Sequence, residues 1–329
     1  MKAVKSLMHL SLMFALAIVH EKACSAQEET TSPTAARLAP FKLDTKHLPN
    51  AIQIHERVAS GGQPDGEQGF LELKELRFKT IVSVDGAKPD VAIARQFGLR
   101  YVHLPHGYSG IDPERVSELA KAIRDLDGPI YIHCHHGKHR SPAAAAVACI
   151  SAGLIEPDPT CSILKLAGTS ENYRGLFDVV KSAHRIAESS LDAIQPEFPE
   201  SAKLPPMAVA MVDLERTYAQ LEQLAHSQWK PSADHPALDP AHEALLLREQ
   251  FTEMLRMESV VPRTVAFRKF LIESKSDAKL LEETLRMKKQ EQNASPSAAS
   301  RLSELFARIS ANCTNCHQQY RDAPIERKY

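Results

Sequence analysis

The sequence predicts an α/β layer with a largely parallel sheet, followed by an all-helical four-helix bundle. Three observations predict it. Over residues 48–188 short β-like runs alternate with amphipathic stretches, the pattern of strands connected through helices. Beyond 207 apolar residues recur every three or four positions, the stripe of helices packed on one side. Between the two lies a stretch with Pro196, Pro199, Pro205 and Pro206, a composition suited to an extended linker over 189–206.

Residues 1–26 read as a secretory signal. Lys2 and Lys5 precede an apolar run from Leu7 to Val19, and Ala23-Cys24-Ser25-Ala26 supplies small residues for cleavage after Ala26. The run is shorter than the ~20 residues that cross a bilayer, so the mature chain is expected to be exported, as to a periplasm, and to lack a membrane span. Residues 27–47, rich in Thr, Ser and Glu, read as a flexible leader.

Strands are expected at 51–56, 78–84, 100–104 and 129–133, and helices at 66–76, 90–97 and 113–126. The last helix has Asp112 at the N-cap and Pro113 in its first turn, a strong start signal. An Ala-rich helix follows over 142–152. In the C-terminal part, residues 207–329, Met207, Met211, Leu214, Tyr218, Leu221 and Ala225 form the first stripe. Further helices are expected at 243–257, at 265–287 with a break near 274–276, and at 297–320.

Composition limits the function. Of 329 residues, 43% are hydrophobic and 25% charged, which excludes wholesale disorder. Lys+Arg 40 against Asp+Glu 41 leaves a net charge of -1, with no global basic excess for nucleic acid. Aromatics at 6% argue against a base- or sugar-stacking platform. Function must rest on local motifs.

The first motif is His133-Cys134-His135-His136-Gly137-Lys138-His139-Arg140-Ser141. A Cys six residues before an Arg is weak by itself. With His before the Cys and Gly three after it, chance expectation falls to about 0.0007. The run lies between a buried strand and a helix start, where backbone N–H groups and the helix dipole converge. Those features favour a thiolate and hold an oxyanion. Arg140 can grip two phosphate oxygens, and the Ser141 hydroxyl can bond the thiolate and the departing sulfur. The four histidines around Cys134 and Lys138 read as a cationic rim, not a metal cage, and favour a substrate with more charge than one phosphomonoester.

These residues resemble the H-C-x-x-G-x-x-R-S/T loop of the cysteine-dependent protein-tyrosine/dual-specificity phosphatases. The likeness covers 48–188 and looks most like atypical members, including enzymes acting on inositol pyrophosphates. It implies that Cys134 forms a phosphocysteine, that Arg140 steadies the transferring group, and that His135, His136, Gly137, Lys138, His139 and Arg140 cradle the phosphate of an anionic phosphorylated substrate. The family's general acid is a loop Asp. Asp112 is the first candidate, although it also reads as a plain N-cap, and Asp85 is the second. A sulfurtransferase passing electrons to the second motif is the alternative, but its cradle is generally one residue shorter. An electron-transfer module on an inactive phosphatase scaffold is another, against which the intact Cys134, Gly137, Arg140 and Ser141 argue.

The second motif is Cys313-Thr314-Asn315-Cys316-His317, the C-x-x-C-H signature of covalent c-type haem, with a chance expectation near about 0.005. Thiols at i and i+3 meet the two vinyl groups, and His317 coordinates iron. With Tyr320-Arg321 following, it resembles the cytochrome c-prime/c556 family over 205–329. That resemblance implies one haem c per chain, His317 as proximal iron ligand, and an open or Met-bound distal side with Met211 the candidate. It also implies redox sensing, gas binding or electron transfer. Candidate partners are a redox protein and a second copy of the chain through the bundle. Cys149 and Cys161 read as buried thiols, a structural disulfide, or a resolving thiol for Cys134.

Overall fold

The structure, a computed structural model, describes residues 39–231, 236–290 and 296–322. The expected signal and the first part of the leader lie outside the described residues. All described elements belong to one compact unit, Leu38–Tyr329. No helix among them is long and apolar enough to cross a membrane.

Six strands form one mixed sheet: β1 Phe41–Lys42, β2 Ile52–His55, β3 Val58–Gly62, β4 Thr80–Ser83, β5 Arg100–His103 and β6 Ile130–Cys134, in the order β1-β2-β3-β6-β4-β5. β3, β6, β4 and β5 run parallel; β1 and β2 add an antiparallel edge. Two strands depart from the expectation. β1 falls in the supposed leader, where the Lys46 and His47 amides donate to the Glu72 carboxylate (2.9 and 2.7 Å) and anchor the chain. β3 carries Ser60-Gly61-Gly62, which reads locally as a turn. Gly61 is required there because a Cβ would collide with the Tyr131 hydroxyl, which donates to the Gly62 carbonyl at 2.9 Å.

The sheet is buried on both faces, as parallel sheets are. Helices α1 Gly66–Glu75 and α2 Val91–Gln96 share one core with Ala59, Ile81, Tyr101 and Tyr131. Helices α3 Pro113–Asp125, α4 Arg140–Ser151, α5 Ser162–Ala167 and α6 Arg174–Lys181 are on the other, with Val58, Val82, Ile130 and Ile132. Alternation along β6 therefore places Cys134 on the α4 face and His133 on the opposite one. The alanines of α4 are fully buried, and their small side chains allow that helix to sit at the centre of its layer.

The proline-rich stretch does not hang free. Helix α7 Glu188–Ala193 begins it, and the segment then lies against β5: the His103 amide donates to the Pro199 carbonyl (2.8 Å) and the Ala202 amide to His103 Nδ1 (3.0 Å). A strand edge offers unpaired backbone groups, and this segment takes them.

Four long helices follow: α8 Pro206–His226, α9 Pro240–Arg256, α10 Val265–Gln290 and α11 Pro296–Tyr320. They share one apolar core that includes Leu221, Leu247, Leu281 and Leu305. α8 meets α11 through Tyr218 and Phe306, whose rings stack at 5.1 Å, and through Tyr218 Oη and Ser310 Oγ at 2.6 Å. Helix α10 runs unbroken through 274–276. Serines cost a helix little there, and Ser274 lies on the buried face one turn before buried Ala278.

Candidate active site

β6, an interior strand, ends at Cys134 on the carboxyl side of the parallel strands, and α4 begins six residues later at Arg140. The Cys134 Sγ is buried and 3.3 Å from Ser141 Oγ, which donates to the Gly61 carbonyl at 2.9 Å. A hydroxyl has one proton. While Ser141 donates to Gly61, the thiol supplies the proton between sulfur and oxygen; a thiolate would instead draw the Ser141 proton.

The loop is pinned from outside. Gln63 N–H donates to the His135 carbonyl (3.2 Å), Asn50 Nδ2 to the Gly137 carbonyl (2.8 Å), and Thr169 Oγ1 to the Lys138 carbonyl (2.6 Å). In a planar trans peptide the carbonyl and the following N–H point in opposite directions. Anchoring those three carbonyls therefore turns the amides of His136, Lys138 and His139 away from the anchors and toward the loop interior. Gly137 has φ +69, and a Cβ there would strike the Gly62 backbone; only glycine permits both.

Several buried polar atoms at this loop have no protein partner: Arg140 Nε, His139 Nδ1 and His106 Nε2. Buried polar groups are ordinarily paired, so a cluster of orphans beside a thiol marks a place for a ligand. Arg140 is packed on Tyr108, its guanidinium carbon 4.6 Å from the ring centre, and stays cationic at any working pH. Tyr108 in turn lies 4.7 Å from the Tyr173 ring.

Two of the four histidines, His133 and His139, drop out of the expected cationic rim. His133 faces away, its Nε2 2.5 Å from Tyr101 Oη, and burial lowers its imidazole to about 4. Burial first, and then His136, Lys138, Arg140 and Arg321, lower His139 to about 4. His136 is also lowered, by burial and then by His135. Arg140 and Lys138 supply fixed positive charge within the loop. His135 and His136 are exposed and come together with Glu215 of α8, with potential ligand atoms all within 4.8 Å.

Asp112 is exposed and makes no side-chain cap bond to α3. Asp85 follows β4, buried; its Oδ1 accepts from the Ala87 amide at 2.8 Å and its Oδ2 has no partner. All five described cysteines are free. Cys149 lies fully inside α4, where burial raises its thiol far above the ordinary range. Cys313 and Cys316 lie one turn apart on α11 and both border the helical core, as do Met207 and Met211. Neither thiol is paired. This donor set fits covalent haem.

Asn50, His106, Tyr108, Thr169 and Tyr173 escaped the sequence reading. Each sits far from Cys134 along the chain, in loops without a motif of their own.

No family model matches the chain. The curated "Beta-lactamase hydrolase-like protein" of Xylella fastidiosa, strains Temecula1 and 9a5c, is 27% identical over 95 residues, 26% of this chain and 22% of that protein. The chain thus spans about a fifth of the length of the curated relatives it matches. Among solved structures, Pseudomonas aeruginosa TpbA is 20% identical with a TM-score of 0.38, covering 49% of this chain and 96% of TpbA. The core catalytic domain of the PP-IP phosphatase SIW14 from Saccharomyces cerevisiae, in complex with citrate, is 15% identical with a TM-score of 0.36, covering 42% of this chain and 88% of its own. The sheet is mixed and mostly parallel with helices on both faces, an α/β layer.

Proposed function

We propose that this protein is an exported cysteine-dependent phosphatase whose last helix carries a c-type haem. The observation that supports the phosphatase reading best is Cys134 beside Ser141, under a loop whose anchored carbonyls turn its amides inward and whose Arg140 Nε is buried without a partner. Such an arrangement stabilises a trigonal phosphoryl group during transfer.

The Cys134 thiolate attacks phosphorus, forming the S–P bond as the ester P–O bond breaks. The leaving oxygen takes a proton from a carboxylic acid. Asp85 has a buried oxygen free of partners, and Asp112 is free of its cap, so each is available for that step. Water then attacks phosphorus, giving a proton back to that carboxylate as the S–P bond breaks and phosphate is released, while the Ser141 hydroxyl donates to the departing sulfur. Arg140 bonds the equatorial oxygens throughout. Substrates are phosphate esters, including polyphosphorylated small molecules.

Cys313 and Cys316 would hold the haem vinyl carbons and His317 the iron; when bound, the haem supplies one-electron chemistry or a gas-binding iron. Met211 borders the same core as Cys313 and is the distal candidate.

The test is phosphate release from an aryl phosphate by the full-length holoprotein. Cys134→Ser should abolish release with the fold intact; unchanged turnover would sink the mechanism. Asp85→Asn and Asp112→Asn distinguish the acid: the true one slows esters with poor leaving groups and spares good ones. For the haem, acid-acetone extraction should leave colour on the denatured chain.

A further inference from the structure

Two arginines share one phenol. Tyr108 has the Arg140 guanidinium carbon 4.6 Å from its ring centre and that of Arg321 at 4.3 Å. The two cations are therefore no further apart than those distances laid end to end. Arg321 comes from the far end of the chain. Tyr320, the last residue of α11, turns its ring inward against Phe267 and Phe270 (5.1 and 6.3 Å). The amides of Arg321 and Asp322 both donate to the His317 carbonyl (2.9 and 2.8 Å), closing the helix end and aiming Arg321 at the Cys134 loop. Buried Asp322 fixes the guanidinium through Nε (2.6 Å) and Nη2 (3.3 Å). About a third of the Arg321 side chain stays exposed, and the rest of the fork is free among the described residues to meet an anion.

We propose that Arg321 forms a second anion subsite beside the Cys134 loop, reading a second phosphoryl group adjacent to the one held by Arg140. The inference rests on the phosphate-loop reading of the site. It commits to substrates with two neighbouring phosphoryl groups, as in a pyrophosphate or a vicinal bisphosphate, because a lone phosphate on Arg140 would leave Arg321 unused. Asp322 offsets the charge of Arg321 on one side of its fork, while Arg140 Nε is buried without a partner, so an anion bridging the two would gain from both. Tyr108 offers both a cation-binding face. Lys138 sits exposed on the same loop and adds to the field.

Calorimetry on the full-length holoprotein, with inorganic phosphate and inorganic pyrophosphate as probes, tests this apart from turnover. Wild type should bind pyrophosphate at least tenfold tighter than phosphate. Arg321→Gln should remove most of that preference while phosphate affinity stays within about twofold, and Arg321→Lys should restore part of it. Equal loss for both anions would show that Arg321 only props the loop, and no loss for either would show that it faces no ligand; both overturn the proposal. Anion preference without Cys134-dependent phosphate release from an aryl ester would retain the subsite and reject the phosphatase.

Discussion

Around Cys134 the working groups come from Asn50, Gly61, Tyr108, Arg140, Thr169 and, by the inference above, Arg321 at the other end of the chain. In the helical region Cys313, Cys316 and His317 occupy one stretch of α11, and the other three helices supply an apolar surround. The two regions therefore tolerate damage differently. A convergent site is built from long-range hydrogen bonds, a positive-φ glycine and orphaned buried donors, and each is a point where one change reaches the chemistry. A site written along one helix is held by that helix's packing, and its weak points are the leucines beneath it.

Gly137→Ala should have the largest effect. The added methyl meets the Gly62 backbone at a φ of +69, so the loop must move, and aryl phosphate turnover should fall at least about a hundredfold, with about 1–3 kcal/mol lost in stability. Turnover near wild type would show that the loop does not need its present shape.

Leu281→Ala tests the helical side. Leu281 is fully buried in the shared core, and its truncation should cost about 2–5 kcal/mol. Activity per folded molecule at Cys134 should not change; a parallel fall would mean that the two regions are not separable in function.

Acid should weaken the α/β region. Burial holds the His133 imidazole at about 4 in the fold, against about 6.5 unfolded. The unfolded chain then binds the proton more readily, so the stability due to keeping His133 neutral is complete above about 6.5 and is lost as pH falls toward 4. The slope for one such group is about 1.4 kcal/mol per pH unit. Thermal melts between these limits measure it, and flat melting temperatures would contradict a neutral buried imidazole.

Asn50→Ala should be the mildest. It removes the bonds to the Gly137 and Ala167 carbonyls, costing about 1 kcal/mol each, and should raise KM for an aryl phosphate more than it lowers kcat.

By itself the sequence determined what short-range geometry determines. The start of α3 at Pro113, the strand-to-helix placement of Cys134, and the helices from α8 to α11 follow from spacing, capping residues and apolar period, and the described structure has helices and strands at those places. The proximity of Cys134 to Ser141 was legible for the same reason, since a tight loop into a helix leaves their side chains little choice. Tertiary structure alone decided the rest. β3 hides behind Gly61 and Gly62, which are turn residues until Tyr131 fills the space above them. The 194–205 segment looks like a linker until the open edge of β5 takes up its backbone groups. His133 and His139 look cationic in the sequence and are held neutral in the fold, because a charge's cost depends on the water removed around it, and no local pattern records that. Arg321 meets Tyr108 for a similar reason: contact between residues so far apart in the chain is set by how whole helices pack, which spacing along the sequence does not encode.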